Sequence, residues 1–126
     1  MAAWEREVRD LHRFFAAYFS GAETDIGRLV DALAPGFRMI GPDGIERDRQ
    51  GTIAAVAASC GAHDVEIEIR APRLVTEGPP LVVTYEEWQR MAGDDAFTGR
   101  VSTAVFEPDG DGVRWLHLHE TWLPLR

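Results

Sequence analysis

Two groups of side chains in the second half of the chain could do chemistry, and both lie in segments with a two-residue period. Val65, Ile67 and Ile69 alternate with Glu66, Glu68 and Arg70, and similar alternation continues to residue 122. On strands, this divides the polar groups between two faces. One set holds Tyr85, Glu87, Arg100, Ser102 and Glu120; the other holds Thr84, Glu86, Trp88, Trp115, His117, His119 and Thr121. In the first set, Arg100 could clamp a carboxylate or an enolate, and Glu87 or Glu120 could accept a proton if burial raised its pKa toward neutrality. The competing reading is a structural Arg–Glu pair that neutralises charge. In the second set, His117 and His119 sit two apart, so both imidazoles could reach one transition metal. No Asp or Glu has a fixed spacing to complete that site, and neither a metal nor another cofactor is expected. A register error of one residue would exchange the two sets entirely.

The remaining candidates read as structural. His12 flanks the apolar stripe of the first helix and is expected as a solvated or satisfied helix residue. His63 follows a glycine turn, Tyr18 borders the stripe, and Cys60 is expected as a small buried helix residue without a nucleophile motif. No phosphate-binding glycine loop, zinc-protease motif or dinucleotide fingerprint occurs.

The 126 residues fit one domain spanning 1–126, and 45% hydrophobic with 27% charged residues excludes disordered and low-complexity classes. Thirteen basic against 21 acidic residues give a net charge of −8, with no basic block. That balance argues against nucleic-acid and anionic-membrane partners. With one cysteine there is no internal disulfide. The chain has no apolar run of signal-peptide or membrane-span length, so the expectation is a soluble, cytoplasmic protein.

The elements that must position these residues come in two blocks. Trp4, Val8, Leu11, Phe15, Tyr18 and Phe19 make one helical stripe, stopped by Ser20-Gly21. Thr24 or Asp25 can cap a shorter helix carrying Ile26, Leu29, Val30 and Leu33, ended by Pro35-Gly36. Phe37 to Ile40 reads as a short strand, Gly41-Pro42-Asp43-Gly44 as a turn, and Asp48 as the cap of a third helix running to Cys60. A strand from Val65 then leads a meander of strands near 81–91, 97–107 and 113–123, separated by Gly- and Pro-rich turns. Helices first and an antiparallel meander afterwards is the α+β order.

This order, with FFAAYFSG, FRMIGPDG, DRQG, GRVSTAVF and VRWLHLHETW, resembles the nuclear transport factor 2-like superfamily over nearly the whole chain. That superfamily includes SnoaL-like polyketide cyclases, steroid delta-isomerases and the calcium/calmodulin-dependent kinase II association domain. The resemblance implies a cone-shaped α+β barrel, with N-terminal helices packed in a curved, mainly antiparallel sheet. It also implies a homodimer formed through the outer face of the sheet. It turns the first set inward, with Trp122, and puts Trp88, Trp115, His117 and His119 at the dimer interface. The isomerase constellation is absent. The positions of its tyrosine donor, catalytic aspartate and protonated aspartic acid fall at Phe14, Gly41 and Ser102.

The expected function is binding of a small, largely apolar organic molecule with one anionic or hydrogen-bonding group. Tyr85, Arg100, Ser102, Glu120 and Trp122 would form the site. Two alternatives stand beside it: a SnoaL-like enzyme of isomerase, cyclase or dehydratase type, with Glu120 or Glu87 as base, and a non-catalytic oligomerisation module.

Overall fold

A computed structural model describes residues 1–124. Helix α1 spans Ala3–Ser20 and buries Val8, Leu11, His12, Phe14 and Tyr18. It stops because Gly21 turns left-handed (φ 85°), a conformation glycine adopts without strain, and donates its N–H to the Tyr18 carbonyl. Helix α2, Gly27–Ala32, begins where the Asp25 carboxylate accepts from the Gly27 N–H at 2.8 Å. Helix α3, Arg49–Ala57, is capped by the Asp48 carboxylate, which accepts from the Gly51 N–H at 2.8 Å. This helix ends three residues before Cys60. The thiol is exposed rather than buried in a helix, because its residue falls in the turn that follows.

Six strands form one open, mixed sheet in the order β2-β1-β6-β5-β4-β3: β1 Leu33–Ile40, β2 Glu46–Asp48, β3 Val65–Thr76, β4 Leu81–Met91, β5 Thr98–Asp109 and β6 Gly112–Trp122. The meander β3 to β6 is antiparallel, and β1 closes onto β6 in parallel. The helices pack on the inner face of this curved sheet, giving the expected cone-shaped α+β arrangement. Strand β1 starts earlier than the sequence suggests. Leu33 leaves the helix and pairs with Trp115, and the chain passes Pro35-Gly36 through a register shift before pairing resumes at Arg38. Arg49 holds this junction by donating to the carbonyls of Val30 (2.7 Å) and Leu33 (3.2 Å).

One sequence expectation is corrected in β6. Val105 faces His117 while Phe106 faces Trp115, leaving Leu116 as an extra residue without a partner. This bulge reverses side-chain parity toward the start of the strand. Trp115 therefore lies in the core at 1% exposure, its ring 4.6 Å from that of Phe106, and not on the outer face. Its indole N–H donates to Glu7 (2.9 Å), which also accepts from Arg28 (2.8 Å), so one carboxylate ties α1, α2 and β6 together. Among the described residues no helix is long and apolar enough to cross a membrane.

Candidate functional site

Between the helices and the inner face of the sheet lies a hollow of about 160 Å³. Its wall is mostly apolar: Leu11, Phe15 and Phe19 from α1, Phe37 and Met39 from β1, Trp115 and Leu118 from β6. Polar groups gather where side chains of α1, β4, β5 and β6 converge. There His12, Glu87, Gln89, Arg100 and Glu120 all border the cavity.

Each reaches this point for a local reason. His12 is one turn beyond Val8 on the stripe of α1, so its side chain is carried inward with the apolar residues. Glu87 and Gln89 follow Val83 and Tyr85 on the inner face of β4. Arg100 and Ser102 stand on β5, opposite Glu87 and Tyr85 respectively, and Glu120 on β6 stands opposite Ser102.

The two glutamates have the same chemistry and different surroundings. Glu87 meets His12 Nε2 at 3.0 Å and accepts from the amide of Gln89. His12 Nδ1 lies 2.7 Å from the Val8 carbonyl. Both of its partners are acceptors, so the ring satisfies both only as an imidazolium donating twice. Burial alone would push the His12 pKa down, but the charge and hydrogen bond of Glu87 outweigh it and the value is raised. Burial would likewise raise Glu87, yet His12, with help from Arg100 and Gln89, brings it down to about 2. Glu120, by contrast, has two long hydrogen bonds, both 3.3 Å, from Arg100 and from the Ser102 hydroxyl. Burial and the nearby Glu87 charge lift it to about 7 against the pull of Arg100 and His12.

The guanidinium of Arg100 stacks 4.7 Å from the ring of Trp122, and its buried Nε–H has no hydrogen-bond partner among the described residues. The Tyr85 hydroxyl is also buried, opposite Ser102, and burial raises its pKa well above the usual phenol value against the lowering effect of the Ser102 hydroxyl. The site is thus a mostly apolar cavity with a buried ion pair on one side and a longer, more weakly bonded Arg–Glu pair on the other.

Structural comparison places this arrangement among known folds. An NTF-2-like protein of unknown function from Pseudomonas aeruginosa superposes with a TM-score of 0.88 at 26% identity, covering 98% of this chain and 100% of that one. The chain has a nuclear transport factor 2-like fold. A CaMKII hub from S. rosetta superposes at TM-score 0.78 with 16% identity, covering 96% of this chain and 95% of that one. An NTF2-like protein from Cytophaga hutchinsonii superposes at 0.71 with 13% identity, covering 98% and 100%. No protein-family model and no curated protein matches the sequence.

Within this nuclear transport factor 2-like cone, Glu87, Arg100 and Glu120 line the hollow. Ser102 lies behind Glu120, and Tyr85 is buried between Ser102 and the aromatic core. Trp122 lies at the rim, 49% exposed, stacked on Arg100 rather than lining the hollow. Trp88, His117 and His119 stand on the outer face, whereas Trp115 belongs to the inner wall. Among the described residues no group of three or more His, Cys, Asp or Glu is placed to hold a metal ion. The sequence expectation of a solvated or satisfied helix residue gives His12 no part in the site, whereas the structure buries it against Glu87. Its place four residues after Val8 and three before Phe15 was the available signal, but its partner Glu87 is 75 residues away.

Proposed function

We propose that this protein is a homodimeric cone-cavity binder of a small, largely apolar organic molecule carrying one anionic or hydrogen-bonding group. The observation that carries the reading is the under-bonded Arg100–Glu120 pair at the polar end of an otherwise apolar hollow. A few oriented polar groups in an apolar cavity are the usual composition of a small-ligand site. Arg100 orients the ligand's anionic or hydrogen-bonding group, with Trp122 holding the guanidinium plane. At about 160 Å³ the hollow suits one ring with a short polar substituent. Trp88, His117 and His119 form the dimer face.

Calorimetric titration with benzoate, phenylacetate and their neutral amides tests this reading. Saturable binding is expected, with Arg100→Met weakening the acids about tenfold or more and the amides much less. Leu118→Trp, which fills the hollow, abolishes binding of both. Binding that survives Leu118→Trp places the ligand elsewhere and defeats the reading. Light scattering checks the assembly, with twice the 14.0 kDa chain mass expected.

A second reading, a proton-transfer enzyme of SnoaL-like type, is favoured by one observation. Glu120 is lifted to about 7, where a general base works best at neutral pH, while Glu87 stays ionised. Turnover that rises through pH 7 and disappears in Glu120→Gln would support it; turnover unchanged in that variant would remove it.

A further inference from the structure

We infer that a carboxylate ligand enters this hollow together with one proton, which Glu120 takes up, so that the ligand replaces Glu120 as the counter-ion of Arg100. The inference rests on the ligand-binding reading and adds to it a ligand class, small aromatic monocarboxylates, and a linkage.

The charges that face one another across the hollow lead to it. Two cations, His12 on α1 and Arg100 on β5, stand against two carboxylates, Glu87 on β4 and Glu120 on β6. Among the described residues, the other elements bring no charge to the lining of the hollow: α2 contributes Leu29, α3 contributes Thr52 and Val56, and β1 contributes Leu33, Phe37 and Met39. A third carboxylate would leave a net negative charge among side chains that are themselves buried, an expensive state unless a proton comes with it.

Only one group there can take that proton near neutral pH. Glu87 is bound by His12 and Gln89, and its low pKa keeps it ionised. His12 already donates from both ring nitrogens, Arg100 is always charged, and the Tyr85 phenol holds its own proton. Glu120 has only its two 3.3 Å bonds, and burial already favours its neutral form. Protonated, it releases Arg100 to the ligand and gains an O–H to donate to the ligand carboxylate. No covalent bond forms or breaks except that between the proton, drawn from solvent, and the Glu120 oxygen.

Benzoate is the probe and benzamide its neutral control. Titration calorimetry of the full chain in two buffers of different ionisation heat counts protons taken up per ligand. At about pH 8.5 the count for benzoate is expected to approach one, and at about pH 5.5 to approach zero. Above about pH 7, benzoate affinity is then expected to fall roughly tenfold per pH unit, by linkage. Benzamide shows a much weaker dependence. In Glu120→Gln, where the side chain is permanently neutral, benzoate affinity becomes flat across pH 7 to 9. Benzoate binding with no proton uptake at pH 8.5, or a slope that persists in Glu120→Gln, overturns this inference and leaves the binding reading standing. Failure of both benzoate and benzamide to bind at any pH overturns the binding reading and this inference with it.

Discussion

On the inner face of β4, Glu87 meets His12 at 3.0 Å with both side chains at most 7% exposed. On the outer face of the same part of the sheet, Arg90 meets Glu66 at the shorter distance of 2.7 Å, with side chains 39% and 52% exposed. Distance therefore does not rank these pairs; water does. The outer pair keeps most of its hydration and gains little from being joined. The inner pair has lost its hydration, so each member depends on the other, and that dependence is what drives Glu87 down and His12 up. The same contrast explains Glu120, which is as buried as Glu87 but meets Arg100 only at the longer distance of 3.3 Å. One face of the sheet tunes protonation, and the other displays charge.

The largest effect expected from testing this contrast is that of His12→Ala. It leaves the Glu87 carboxylate buried without its cation and should destabilise the fold by about 3–5 kcal/mol in denaturant titration. The pH dependence follows from the two shifts. His12 is raised above 6.5, so its contribution is complete below that value and is lost as pH rises through the raised one. Glu87 is lowered from 4.5 to about 2, so its contribution is present above 4.5 and is lost as pH falls toward 2. The stability gap between the native protein and the variant should be widest between about pH 4.5 and 6.5. A gap below about 1 kcal/mol that does not vary with pH would mean the inner pair is as hydrated as the outer one.

Much of the frame carrying this contrast was legible in the sequence. The period switch after residue 63 marked the meander, and the alternation of β4 put Glu87 on one face and Trp88 on the other, as found. What was not legible depends on contacts far along the chain. The bulge at Leu116 cannot be read from alternation, which by itself puts Trp115 on the outer face. Strand β2 has three charged residues, and only its pairing with Arg38, Met39 and Ile40 makes it a strand. His12 carries no local sign of ionisation, since the charge is created by a glutamate on another element. Glu87 and Glu120 were equivalent candidates in sequence. Their separation came from one histidine and a difference of a few tenths of an ångström in hydrogen-bond length.

A smaller effect should appear on the outer face, where packing rather than charge fixes the side chains. Trp88 lies flat on Gly99, and a Cβ there would come within 2.7 Å of the indole ring. Arg70 covers the other side of the ring at 4.6 Å. Gly99→Ala should displace Trp88 and cost about 1–3 kcal/mol, with a red shift in tryptophan emission. An unchanged spectrum and stability would show that the indole is not held against the sheet.

The smallest effect is expected from Arg90→Ala, and it is the most informative about assembly. Arg90 pairs with Glu66 and lies 4.7 Å over the Phe97 ring, both in contact with water in the isolated chain. A double-mutant cycle of Arg90→Ala with Glu66→Ala should give a coupling of about 0.2–1 kcal/mol that shrinks with added salt. The same cycle on His12 and Glu87 should give several times more and respond little to salt. A coupling above about 2 kcal/mol for the outer pair, resistant to salt, would break the comparison, because only desolvation strengthens such a pair that far. Since the outer edge is wet in a single chain, the water would have to be displaced by a second copy lying across β3 and β4. The cycle therefore reports whether the proposed dimer covers this edge of the sheet. A weak, screened coupling leaves this edge of the sheet outside the interface, which then lies on the part of the outer face that carries Trp88, His117 and His119.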